Sequence, residues 1–103
     1  MAAVTARAEA LGFESVWVPE HLVFPTVIRS RYPYSADGVP PVRVDAPHLD
    51  PLIVLTHLAA ATRTIRLGTN VYILPLRHPL LTARLAVSVD QLSGGRLSFG
   101  IGV

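Results

Sequence analysis

The chain has 103 residues, half of them hydrophobic and 16% charged, so it is long enough for one domain and too apolar to remain disordered. Its formal net charge is only +2, and its nine basic residues are arginines scattered from Arg7 to Arg96, which excludes a basic nucleic-acid-binding stripe. The absence of cysteine excludes disulfides, thiolate metal sites and a cysteine nucleophile. Charged residues interrupt the N-terminal segment, so we expect neither a signal peptide nor a membrane span and predict a cytoplasmic protein.

The chain opens with a predicted helix and strand. Residues 3–11 are rich in strong helix formers, and Gly12 follows where a helix-terminating glycine would stand. Residues 14–18 are mostly β-branched or aromatic and stop at Pro19, which cannot donate to a central ladder. This pattern predicts a short buried strand.

A long loop is predicted over residues 22–50. It contains several prolines and an Asp37-Gly38 turn signal. Loops of this length are usually functional lids or disordered segments, and Tyr32 and Tyr34 favour a lid that packs on something or a contact surface for a partner.

The second half predicts two helices alternating with two strands. Asp50 and the proline after it are typical of a helix start, and the helix is expected to continue over residues 52–62. A β-rich run over 65–74, a helix over 78–93 and a strand over 96–103 follow.

Helices that alternate with short, continuously apolar strands predict an α/β fold with a parallel sheet. The spacing of the last two strands matches one βα unit of a (β/α)8 barrel, which three strands cannot close. We therefore expect one partial TIM-like barrel domain over residues 1–103, with two open strand edges and one uncovered sheet face.

Active sites of parallel α/β folds form at the carboxyl ends of the strands. Glu20 and His21 follow the first predicted strand, and Thr69, Asn70, Tyr72, Arg77 and His78 lie in or after the second. His21 is a candidate acid/base, cofactor hydrogen-bond donor or metal ligand; the alternative is that Glu20 and His21 cap the rim and meet solvent. We expect no metal site, because His48, His57 and His78 lack metal-ligand spacing.

The glycine-rich end, GGRLSFGIG, does not predict a dinucleotide-binding fingerprint. That motif requires GxGxxG followed by a helix, and no helix follows here.

Several segments together resemble the luciferase-like monooxygenase superfamily. They are SVWVPEH after a helix ending in LGF, a helix beginning with DP, IRLGTNV followed by ILPLRHP, and VDQLSGGRLSFGIGV. The sequence is most similar to members that use the deazaflavin coenzyme F420.

The resemblance implies a cofactor site at the strand ends. His21, and less surely Glu20, would face an FMN or coenzyme F420 ring and its small organic substrate. A bulge with a cis non-prolyl peptide at Asn70-Val71 would support the ring's back face, with Thr69, Asn70, Val71 and Gly102 as cofactor-binding residues.

The resemblance also implies how much of a barrel is present. The chain would supply strands two to four, while the family's phosphate-binding residues come from later strands. We therefore expect an N-terminal fragment of an oxidoreductase or monooxygenase, weak in cofactor binding and inactive alone. The alternative is a non-catalytic α/β module that forms a homo-oligomer or completes a split barrel through its open sheet edges.

Overall fold

The computed structural model describes residues 1–43 and 45–103 as helices alternating with short parallel strands. The helices are α1 (Ala2–Ala10), α2 (Pro51–Ala61) and α3 (Pro79–Ser93), and the strands are β1 (Ser15–Val18), β2 (Arg66–Thr69), β3 (Tyr72–Ile73), β4 (Leu97–Ser98) and β5 (Ile101–Gly102). A 3-10 turn over Leu74–Leu76 joins β3 to α3. The predicted order of elements is confirmed, and residues 22–43 and 45–50 contain no helix or strand, as expected of the loop. Val44, which belongs to that predicted loop, lies outside the described residues.

The three predicted parallel strands are present, and the second and third are each divided in two. One sheet has the order β1-β2-β4 and a second pairs β3 with β5, all in parallel. The break in the second strand is a cis peptide bond at Asn70-Val71, so the predicted cis peptide is confirmed. Beyond it, the Tyr72 N–H donates to the carbonyl oxygen of Gly100 at 2.8 Å and begins the second pairing.

Close packing explains the small residues in the last strand segment. A Cβ at Gly102 would come within 2.5 Å of Cγ2 of Val71, and a Cβ at Gly100 would overlap the carbonyl oxygen of Thr69. Side chains at these two positions would push β5 away from the Asn70-Val71 break.

Helix α2 supplies most of the hydrophobic core. Asp50 caps it as predicted, since its Oδ1 accepts the N–H of Leu52 at 2.9 Å and the N–H of Ile53 at 3.4 Å. Its apolar face consists of side chains that are at most 4% exposed: Leu52, Leu55, Leu58 and Ala59. This face packs in one cluster with Leu67 of β2 and Val89 of α3.

Two charged side chains secure the turn between α2 and β2. The Arg96 guanidinium donates to the carbonyl oxygens of Ala59, Thr62 and Ile65 at 3.0 to 3.2 Å, which satisfies the open carboxyl end of α2. From α1, one carboxylate oxygen of Glu9 accepts three consecutive backbone N–H groups on the other side of the turn. These bonds lower the pKa of Glu9 to about 2; the largest effect comes from Ile65, followed by Thr64 and Arg63.

Part of the apolar surface stays uncovered. Trp17 is 51% exposed beside Gly68 of the neighbouring strand, and the outer edges of β1 and β4 have no strand partner among residues 1–43 and 45–103. On α3, the apolar side chains of Leu80, Leu81 and Leu92 are exposed, while Val89 is buried. No helix in the described part of the chain is long and apolar enough to cross a membrane.

Candidate functional site

The candidate site lies where the neighbouring strands β1 and β2 end. The strands run parallel in a register that pairs Val18 with Thr69, and the Asn70 N–H donates to the Val18 carbonyl oxygen at 2.8 Å. The chain leaves β1 through Glu20 and His21 and leaves β2 through the Asn70-Val71 peptide. The two predicted groups of site residues therefore emerge from adjacent strands at the same end of the sheet.

Glu20 is held inside the protein. Its side chain is 1% exposed; Oε1 pairs with Nη2 of Arg77, and Oε2 accepts the backbone N–H of Ile73. The interpretation that both Glu20 and His21 meet solvent is therefore wrong for Glu20, because burial of a carboxylate requires partners and the fold supplies them. His21 is exposed, as that interpretation required.

Arg77 links three elements around Glu20. Its Nη1 donates to Oδ2 of Asp50, the cap of α2, at 2.8 Å, and its guanidinium carbon lies 4.7 Å from the centre of the Tyr72 ring. Burial opposes the charge, yet the hydrogen bond to Asp50 and the charges of Glu20 and Asp50 raise the pKa of Arg77 above its ordinary value. Sequence analysis identified Arg77 only as a polar residue after a strand, because nothing local indicates a partner 57 residues away.

His21 lies where several cavities meet. Three neighbouring cavities, of about 350, 310 and 210 Å³, all have His21 in their walls. The His21 ring centroid is 4.6 Å from that of Phe24, and Phe24 is in turn 4.1 Å from the ring of His48. Phe24, like Tyr32 and Tyr34, is one of the aromatic residues that favour a packed lid, but nothing in the sequence indicates that it or His48 lies beside His21.

The predicted cofactor-binding residues differ in accessibility. Thr69 is fully buried, and its hydroxyl donates to the Gly100 carbonyl oxygen at 2.8 Å. Asn70 is exposed, Val71 is 39% exposed, and Gly102 packs beside Val71. Asn70 and Val71 are therefore the members of this group whose side chains are exposed.

These residues fit the ring of a flavin-like cofactor better than its phosphate group. An exposed amide next to an exposed apolar side chain suits a planar ring with polar edges. Arg77, an arginine at this end of the strands, is already paired with Glu20 and Asp50 and therefore offers little to a phosphate group. In the described ranges 1–43 and 45–103, no group of three or more His, Cys, Asp or Glu side chains is placed to hold a metal ion.

Solved structures with the same fold are known. The chain superposes with a TM-score of 0.69 on the oxygenating constituent of 3,6-diketocamphane monooxygenase from Pseudomonas putida in complex with FMN, at 21% identity, covering 98% of this chain and 22% of that one. It superposes with a TM-score of 0.65 on coenzyme F420-dependent tetrahydromethanopterin reductase from Methanopyrus kandleri, at 27% identity, covering 99% of this chain and 24% of that one. The two likenesses confirm the predicted partial TIM-like α/β fold.

Sequence comparison identifies the family. An uncharacterized protein of Mycobacterium tuberculosis is 37% identical over 102 residues, which are 98% of this chain and 36% of that protein. The chain spans about a third of the length of such curated relatives. The family model described as luciferase-like monooxygenase matches residues 1–103. The chain therefore belongs to the luciferase-like monooxygenase family.

Proposed function

We propose that this chain supplies one side of an oxidoreductase site that binds a flavin or deazaflavin ring together with a small organic substrate. The observation that carries the proposal is the exposure of His21 and of the Asn70-Val71 edge at the carboxyl ends of adjacent parallel strands. In parallel α/β barrels this end of the sheet is where reacting groups gather.

The cofactor proposal is FMN or coenzyme F420. It is supported by family membership and by two neighbours of the same fold, one bound to FMN and the other dependent on coenzyme F420. When bound, either ring supplies hydride transfer, and FMN can also support oxygen activation. The apolar side chain of Val71 would contact a ring face, and the amide of Asn70 would hydrogen-bond to a polar ring edge.

His21 is the proposed catalytic residue of this chain. Its imidazole has one ring nitrogen that can donate and one that can accept a hydrogen bond, and it is exposed to three cavities. We propose that a ring nitrogen of His21 holds or transfers a proton at a substrate oxygen. Glu20, whose two oxygens are engaged, acts as a positioning residue that ties the segment carrying His21 to β3 and Arg77.

Binding of the cofactor ring tests this function directly. Titration of the chain with FMN, and separately with coenzyme F420, should change cofactor fluorescence saturably, with a dissociation constant of roughly 0.1–1 mM, equivalent to about 4–5.5 kcal/mol. We expect this weak binding, and no turnover by the chain alone, because the paired Arg77 offers little to a phosphate. Asn70→Ala should weaken binding several-fold, whereas His57→Ala, at an exposed position on α2, should leave it unchanged. The absence of saturable binding of either cofactor would refute the proposal.

A second candidate function is a non-catalytic module that assembles through its sheet edges. The unpartnered outer edges of β1 and β4 and the half-exposed Trp17 favour it. Sedimentation velocity at several concentrations distinguishes the two. Self-association that Trp17→Arg abolishes supports the module, and a monomer at all concentrations contradicts self-assembly.

A further inference from the structure

We propose that Asp50 and Arg77 are positioning residues for His21, because together they fix the segment that bears its imidazole relative to the N-terminus of α2. The inference rests on the function proposed above, since it concerns how the proposed catalytic residue is held. In this role neither side chain touches the cofactor or the substrate. Both act through Glu20, the residue that precedes His21.

His21 has few contacts of its own that could hold it. It lies in the irregular segment that follows β1. In the part of the chain that the structure describes, no hydrogen bond involves His21, and its ring packs against Phe24, a residue of the same loop. The buried carboxylate of the adjacent Glu20 is therefore the contact that fixes this segment to the rest of the protein.

Arg77 divides its guanidinium between two carboxylates. Nη2 pairs with Oε1 of Glu20, and Nη1 donates to Oδ2 of Asp50 at 2.8 Å. Nε is buried and has no hydrogen-bond partner among residues 1–43 and 45–103. An arginine that binds one carboxylate commonly presents two parallel N–H groups to it. Here the two Nη groups bind different carboxylates, so Arg77 joins the two ends of the long loop.

Asp50 uses its two carboxylate oxygens for different contacts. Oδ1 accepts the N–H of Leu52 at 2.9 Å and so caps α2, while Oδ2 accepts the hydrogen bond from Arg77. The helix behind this cap is rigidly packed, since Leu52 is only 1% exposed. A cap requires one oxygen, which serine would supply as well as aspartate. The contact of Oδ2 with Arg77 is therefore a second task, which a capping serine would not perform.

The core also holds Arg77 from its other side. The guanidinium carbon lies 4.7 Å from the centre of the Tyr72 ring, and that ring is buried against Phe99 at 5.0 Å. Contacts therefore lead from the core, through Asp50 and Arg77, to Glu20. If the contact with Asp50 is lost, one Nη group is released, and the orientation of the other, which binds Glu20, is no longer fixed.

The test measures how rigidly His21 is held in the whole chain without cofactor. The readout is the ¹⁵N order parameter of the His21 amide, which is about 0.85 for a rigid backbone and below about 0.6 for a flexible one. Asp50→Ser keeps the helix cap and removes the partner of Arg77, so it should lower this order parameter from about 0.85 to below about 0.6. Arg77→Met should lower it at least as far.

Two substitutions outside this network are the matched controls. Asp45→Ser removes an aspartate that pairs with Arg43 at the surface of the same loop, and Arg84→Met removes an exposed arginine of α3. Neither should change the order parameter of His21. The amide of Leu55, in the core of α2, should stay rigid in Asp50→Ser and in both controls.

The location of the change decides between a positioning and a merely structural role. A fall at His21 in Asp50→Ser, with Leu55 still rigid, supports positioning. An unchanged His21 in Asp50→Ser overturns the inference, and so does an equal fall at His21 and Leu55. If Arg77→Met leaves Glu20 buried without its ion pair and fails to fold, Asp50→Ser decides alone. Because no cofactor is present, failure of FMN and coenzyme F420 to bind would refute the proposed function without altering this result.

Discussion

The layer formed by α2 and β2 and the loop from His21 to Val42 contain similar apolar residues, which are buried in the layer and exposed in the loop. In the layer, Leu55 and Leu67 are fully buried, whereas in the loop Val23 and Val27 are at least 70% exposed. Burial of aliphatic surface stabilises a fold, and exposed aliphatic surface around a cavity is available to a ligand. The comparison indicates that stability and recognition reside in separate parts of this chain, and the predictions below test that division.

The largest effect is expected in the layer. Leu55→Ala leaves a cavity at the centre of the core and should lower the free energy of unfolding by about 2–5 kcal/mol. Denaturant titration followed by circular dichroism measures the loss. Ile53→Ala, at an exposed position of the same helix, should change it by less than about 0.5 kcal/mol. Equal effects of the two substitutions would contradict the core described above.

A smaller loss is expected from the end of α2. Arg96→Ala removes the donors that satisfy the last carbonyl oxygens of the helix, which should cost about 1–3 kcal/mol by the same titration. Arg84→Ala, on the exposed surface of α3, is the control and should have little effect. Equal losses in the two variants would contradict the role of Arg96 at this end of the helix.

The Glu9 carboxylate makes the stability of the α2–β2 layer depend on pH. Its pKa is about 2 in the folded protein against an ordinary value of 4.5, so its stabilising contribution is complete above pH 4.5 and is lost as the pH falls towards 2. Glu9→Gln should remove this part of the acid sensitivity, measured as unfolding midpoints at a series of pH values. Glu14→Gln, at an exposed position nearby, should retain it. An unchanged acid profile in Glu9→Gln would show that the three backbone bonds do not act on stability.

The smallest effect on stability is expected in the loop. Gly38→Ala places a Cβ in a left-handed conformation and against Arg31, yet it should lower the unfolding free energy by about 1 kcal/mol or less, because the loop contributes little to the core. Denaturant titration followed by circular dichroism measures the change. Gly12→Ala is a matched control, with a φ of +82° but no atom near the new Cβ. It should lower the free energy of unfolding by a similar amount, and a much larger loss in Gly38→Ala would show that the loop contributes to the core.

Sequence patterns predicted the layer more completely than the site. Asp50-Pro51 and the spacing of the α2 leucines specify a capped helix with one buried face, and these signals are local. The resemblance to a family added the cis peptide at Asn70-Val71, which local propensity does not indicate. The division of two strands, the burial of Glu20 and the stacking of Phe24 between two histidines depend on contacts between distant segments, so no local pattern predicted them.

The ion pair beneath His21 also determines when the site can form during synthesis. Glu20 leaves the ribosome 57 residues before Arg77 and 53 residues before Ile73, the two groups that bind its carboxylate. Until both have emerged, burial of this carboxylate would cost its hydration without supplying hydrogen-bond partners. The segment bearing His21 is therefore not yet held in place. A chain interrupted between Val42 and Arg77 would therefore carry His21 and the loop residues up to Val42 and still lack a fixed imidazole.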